Sequence, residues 1–202
     1  PPRKVARREP LQRSALATPR GYVAAEQPRD PALRRQQARR HFMRGLSAHR
    51  LRQVTVAAAE YQRALWLDAN RVDAWNNFGV LMRNHGRLGR ALSAYQQAVR
   101  LQPNFGRARH NLGEIYFLPR DYPSSLREYE RVLKLEHGSV ETYLNLAATY
   151  RHLGRYRDAE RTLNDVLRRN PTQPEVHYNL ARLYELKGQR ELAITSYQNF
   201  FS

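Results

Sequence analysis

The sequence predicts an all-α solenoid of five helix-turn-helix repeats, and three observations carry that prediction. The chain divides into consecutive blocks of 34 residues, 38–71, 72–105, 106–139, 140–173 and a shortened 174–202, with no insertion or deletion. A fixed period of this length means one supersecondary unit stacked on copies of itself. The eighth residue of every block is small: Gly45, Gly79, Gly113, Ala147 and Ala181. Turn residues recur in phase, with Gly86, Gly154 and Gly188 inside their blocks and Pro103 and Pro171 between blocks.

The elements follow in order. Residues 1–30 form a basic Pro/Arg-rich tail, expected to be extended unless it is docked on something. Residues 1–37 hold nine basic and three acidic side chains. The array spans 31–202 and opens at Asp30-Pro31, where Asp can accept backbone N–H bonds and Pro suits the first helical position. Ala57, Ala91, Ser125, Ala159 and Ala193 let the second helix of each block approach the small residue of the first. Tyr61, Tyr95, Tyr129 and Tyr197 are expected to fill the space between successive pairs. The first block departs from the pattern at Arg44 and Ala48, so its helix pair should be the least regular of the five. At the other end Phe200 and Phe201 stand where a following helix would bury them, which predicts a continuation or a partner there.

The second block reads Trp75, Phe78-Gly79, Met82, Ala91, Tyr95, Ala98, Pro103, and the fourth Tyr143, Leu146-Ala147, Tyr150, Ala159, Leu163, Val166, Pro171. This resembles the tetratricopeptide pattern W-x2-L-G-x2-Y…A-x3-F…P. The resemblance covers residues 38–202 and implies a right-handed superhelix whose first helices line a concave inner face. His41 and His177 fall at the pattern's Trp position, which makes them packing residues.

Composition removes several function classes. There are 35 Lys plus Arg against 18 Asp plus Glu, a formal charge of +17, and no cysteine. Thiol catalysis, disulfide frameworks and Cys-ligated zinc are therefore excluded. No apolar run approaches the roughly 20 residues of a membrane-spanning helix. The chain opens Pro-Pro, which points to a cut or processed end. Phosphate-cradling Gly-Lys loops, His-Glu-x-x-His, Gly-x-Ser-x-Gly and dinucleotide glycine fingerprints do not occur, and no two histidines fall four apart. The reading is a non-enzymatic protein with no metal or cofactor, working through its surfaces.

The sixth residue of each block reads Met43, Asn77, Asn111, Asn145, Asn179. Carboxamides in register offer a donor and an acceptor together, as an extended peptide backbone requires. These four asparagines resemble the ladder in the repeat domain of O-linked N-acetylglucosamine transferases; the resemblance implies peptide binding alone, and such asparagines also bond neighbouring helices in repeats generally. Phe42, Met43 and Leu46, followed by Asn76, Asn77, Val80 and Arg83, form a more apolar end to the same face. A clamp for a terminal carboxylate is rejected, because Glu141 stands near Asn111 and Glu114 and Glu175 near Asn145, where cations would be required. A second surface is expected on the outer helix of the first block, where Val56, Ala59, Arg63 and Trp66 share one stripe. The segment Gly21-Tyr22-Val23-Ala24-Ala25 is its candidate cover, with the Phe42 cluster as the other seat.

The expected partner is an extended or helical protein segment. A basic tail ahead of such repeats also loosely resembles, in layout, the lipoproteins that assist type IV pilus secretins, which implies a role in assembling an envelope complex. The rival is nucleic acid or an anionic membrane surface, since +14 of the charge lies before residue 106. Compartment stays open between a bacterial periplasm or outer-membrane tether and the cytoplasm.

Overall fold

A computed structural model describes residues 27–135 and 138–201. The described residues form ten α-helices and no strand. They fall into two compact units, one ending at Gln102 and the other beginning at Pro103. The first holds α1 (Pro31–Arg50), α2 (Val54–Leu67), α3 (Val72–Asn84) and α4 (Leu88–Leu101). The second holds α5 (Gly106–Phe117), α6 (Tyr122–Leu135), α7 (Val140–His152), α8 (Tyr156–Leu167), α9 (Pro174–Leu186) and α10 (Arg190–Phe201). Within the first unit α1 pairs with α2 and α3 with α4, and α1 neighbours α3. Within the second, α5, α7 and α9 neighbour one another in turn and pair with α6, α8 and α10.

Local chemistry sets the helix ends. Asp30 accepts the Ala32 amide at 2.8 Å, and Pro31 occupies the first turn, where it has no N–H to lose. Ser139 caps α7 through the Thr142 amide. Gly86, Gly154 and Gly188 close α3, α7 and α9 at φ of +69°, +72° and +71°, a region that glycine enters without steric cost. In the first and third repeats arginine takes that place: Arg52 sits at φ 57° and Arg120 at φ 64°.

The small eighth residue serves a more specific purpose than helix approach. A Cβ on Gly45 would stand 2.6 Å from Tyr61 Cδ1, one on Gly79 2.5 Å from Tyr95 Cε1, and one on Gly113 2.6 Å from Tyr129 Cε1. Each tyrosine ring thus lies on the glycine of its own helix pair, rather than only in the space between pairs as the sequence suggested. All three tyrosines are fully buried, and each is worth about 2–3 kcal/mol by the area it removes from water. The fourth repeat substitutes both partners together, with Ala147 and Leu163 at the two positions and both in one core cluster. In the fifth, Ala181 is paired with a tyrosine, and Tyr197 lies only half-buried, its ring 6.2 Å from Tyr178.

In three of the five blocks the fourth residue is a loop clamp. Trp75 Nε1 donates to the Ala69 carbonyl at 2.8 Å, Arg109 Nε to the Pro103 carbonyl at 2.6 Å, and His177 Nε2 to the Pro171 carbonyl at 2.8 Å. All three acceptors lie six residues upstream, in the turn that enters the helix. A ring or guanidinium N–H at this position satisfies a loop carbonyl that the helix cannot. His41 instead meets Glu60 at 2.7 Å across the first pair.

Candidate protein-binding face

The first helices of the second unit bring Asn111, Asn145 and Asn179 to equivalent positions on α5, α7 and α9; Asn77 holds that position on α3 in the first unit. All four are half-buried. Asn77 Nδ2 donates to the Asp73 carbonyl at 2.8 Å and Asn179 Nδ2 to the Glu175 carbonyl at 2.7 Å. The carboxamide is thereby braced on its own helix four residues back. That bond consumes one amide hydrogen and fixes the side chain, leaving Oδ1 to act as the oriented acceptor.

The end marked by Phe42 differs from the sequence expectation. Phe42 is buried, its ring 6.0 Å from Tyr61 with the Arg71 guanidinium 4.8 Å above it. It belongs to the core between α1 and α2 and offers no side chain to a ligand. Asn76 is likewise buried. Met43 is 55% exposed, while Leu46, Val80 and Arg83 are half-buried, so the open apolar group at this end is one methionine.

On the outer helix α2, Val56 and Ala59 are exposed, and Arg63 and Trp66 half-buried. The Trp66 carbonyl accepts a hydrogen bond from Gln27 Nε2, so the residues leading into α1 already reach this helix. The segment 21–25 lies outside the described residues. At the end of the array Phe200 is half-buried against Tyr178, with ring centroids 5.5 Å apart, and Phe201 is 81% exposed.

One cluster on the second unit gathers two carboxylates beside a histidine in a strongly basic chain. His110 and Glu114 lie one turn apart on α5, and Glu141 comes from the start of α7. His110 Nδ1 meets Thr142 Oγ1 at 2.9 Å, and its Nε2 lies 4.0 Å from Glu141 Oε1. The ring packs edge-on against the core Tyr129. A search of the sequence for paired histidines passes over this group, because its signal is a histidine four residues before a glutamate, completed by a residue that only the fold brings near.

The first unit has the opposite character. A cleft of about 400 Å³ is lined by His49, Arg50, Arg52, Val54, Leu81, Asn84 and His85, with no acidic group among them. Burial and the neighbouring His85 hold the His49 imidazole below its ordinary pKa.

No helix among the described residues is long and apolar enough to cross a membrane. Three family models described as tetratricopeptide repeat match residues 72–105, 119–183 and 174–201. A search of curated proteins gives no match. Among solved structures, MamA 41-end from Desulfovibrio magneticus RS-1 is similar with a TM-score of 0.76 and 16% identity over 82% of this chain and 93% of that one. Pseudomonas aeruginosa PilF is similar with a TM-score of 0.71 and 19% identity over 83% of this chain and 76% of that one. YrrB, described as a TPR protein with an unusual peptide-binding site, is similar with a TM-score of 0.70 and 19% identity over 79% and 82%. At these identities the likeness carries the fold, an all-α helical-repeat solenoid. Matched by these models over residues 72–105 and 119–201, the chain belongs to the tetratricopeptide repeat family.

Proposed function

We propose that this protein is a non-enzymatic interaction scaffold that captures an extended or helical segment of a protein partner on the face made by its first helices. The observation that carries the reading is the set of asparagines at one helical position, with Asn77 and Asn179 braced on the carbonyl four residues back. Three of the rungs, Asn111, Asn145 and Asn179, belong to one unit and can act together. Each bond to a partner backbone would add about 1 kcal/mol net, which sets register rather than side-chain preference. The peptide-binding site named for YrrB supports this by analogy. The tail-and-repeat layout extends the proposal to assembly of an envelope complex such as a type IV pilus secretin. The decisive experiment compares Asn111→Ala/Asn145→Ala with the parent chain, measuring partner capture from an envelope extract alongside the melting temperature. Several-fold weaker capture at an unchanged melting temperature supports the ladder. Earlier melting with normal binding by the folded fraction makes it structural.

A second reading is favoured by the cleft at His49, Arg50, Arg52 and His85 and by the +14 carried before residue 106. It assigns the basic half to nucleic acid or an anionic membrane surface. Binding to either would fall steeply between low and moderate salt; an affinity that barely changes removes it.

A further inference from the structure

We propose that His110, Glu114 and Glu141 form a binding site for a divalent transition-metal ion of the Zn2+ class. One ligand atom from each of these residues lies within 4.8 Å of the other two. Ligands around a zinc ion bonded at about 2.0–2.2 Å stand closer together than that, so the site must contract slightly on loading. Glu141 supplies the contraction, since its side chain is 70% exposed at the start of α7 and free to change rotamer. His110 and Glu114 need no rearrangement of backbone, because a spacing of four places them on one face of α5.

The histidine is already oriented. Nδ1 lies 2.9 Å from Thr142 Oγ1, and in the tautomer that donates Nδ1–H to that hydroxyl the Nε2 lone pair is left on the side of Glu141, 4.0 Å from Oε1. Thr142 Oγ1 lies 3.2 Å from Ser139 Oγ, which can accept the threonine hydroxyl's hydrogen bond in that tautomer. Metal-bound histidines are held in this way, by a partner on the nitrogen that does not face the metal. The ring is further fixed edge-on against buried Tyr129, at 5.6 Å between centroids. One imidazole with two carboxylates suits zinc and its neighbours in the first transition series better than calcium or magnesium, which prefer oxygen throughout. Two carboxylates and a neutral imidazole carry a charge of −2, which the ion cancels. Three protein ligands leave a coordination position open to water or to a side chain of a bound partner. The inference is independent of the asparagine reading, because it concerns the ion alone.

The test is titration of the full chain, stripped with chelator, with Zn2+ by calorimetry and with Co2+ by its visible absorption. One ion per chain in the micromolar range is expected, with a Co2+ spectrum of low coordination number. His110→Ala and Glu114→Gln should abolish that event, and Thr142→Val should weaken it ~10-fold by releasing the ring. The same variants should unfold at the parent's urea midpoint in the presence of chelator; if His110→Ala does not fold, Glu114→Gln decides. A His49→Gln/His85→Gln variant should bind as the parent does. No saturable binding, or binding that survives both His110→Ala and Glu114→Gln, overturns the site.

Discussion

The Tyr95 ring lies so close over Gly79 that a methyl group there would stand 2.5 Å from Cε1. The same relation joins Tyr61 to Gly45 and Tyr129 to Gly113, while in the fourth repeat Ala147 and Leu163 hold those positions within one core cluster. The glycine and the aromatic therefore form one packing unit. Gly79→Ala should cost about 1–3 kcal/mol, the usual penalty for overpacking a filled core. Adding Tyr95→Leu should recover part of that loss, because the double variant recreates the Ala147–Leu163 arrangement. Urea unfolding of the two single variants and the double variant measures the coupling. A Gly79→Ala protein as stable as the parent would show that the ring has room to move.

Tyr95 also has a defect that Tyr61, its counterpart in the first repeat, and Tyr184, a buried tyrosine at a different repeat position, lack. Its hydroxyl is buried without a hydrogen-bond partner among the described residues. In the first repeat the Tyr61 hydroxyl meets His49 Nδ1 at 3.3 Å, and at the other end the Tyr184 hydroxyl donates to Glu160 at 3.0 Å. Removing an unsatisfied oxygen relieves a desolvation cost, whereas removing a satisfied one loses a bond. Tyr95→Phe should therefore stabilise the chain by roughly 1 kcal/mol, and Tyr184→Phe should destabilise it by about the same amount. The opposite order in urea midpoints would overturn the assignment.

Arginine at φ 64° is costly at position 120, where three other repeats use glycine. The left-handed conformation costs a non-glycine residue about 1–2 kcal/mol, and glycine returns part of that gain as extra freedom in the unfolded chain. Arg120→Gly should consequently stabilise the chain by a net of roughly 0.5–1 kcal/mol, read as a higher urea midpoint. Arg120→Ala keeps the strain and should not. Equal effects of the two substitutions would place the benefit in the lost charge instead.

These outcomes bear on what the sequence could reveal. The glycines at 86, 154 and 188 and the Asp30-Pro31 start were legible because each answers a local backbone demand that few residue types meet without cost, and the period of 34 because such signals recur in phase. Burial of Phe42 was not legible, because its helical position reads as inward-facing until Tyr61 and Arg71 are seen to enclose it. The clamp from residues 75, 109 and 177 was hidden for a related reason: Trp, Arg and His share an N–H donor but look unlike as letters. Glu141 is 31 residues from His110 along the chain, and only the stacking of α7 on α5 places the two together.

The tyrosines make the fold sensitive to alkali. Burial raises Tyr61 and Tyr95 to about 12, offset slightly by Arg50 and Arg83 respectively. Burial also raises Tyr150 and Tyr184 to about 12, assisted by hydrogen bonds to Glu130 and Glu160 and by the charge of those carboxylates. In the unfolded chain a tyrosine ionises near 10. Between those values the unfolded state releases protons that the folded state keeps, so stability falls as pH rises through the window and is fully present below it. Four rings acting together should make the melting temperature drop steeply from about pH 10 to about pH 12. Following tyrosinate absorbance against pH, in buffer and in concentrated urea, checks this directly. The native curve should lag the urea curve until the chain unfolds, and Tyr95→Phe should remove a part of the lagging absorbance. Curves that coincide while circular dichroism still reports helix would mean that these hydroxyls are open to water, and the glycine–tyrosine packing would have to be abandoned with them.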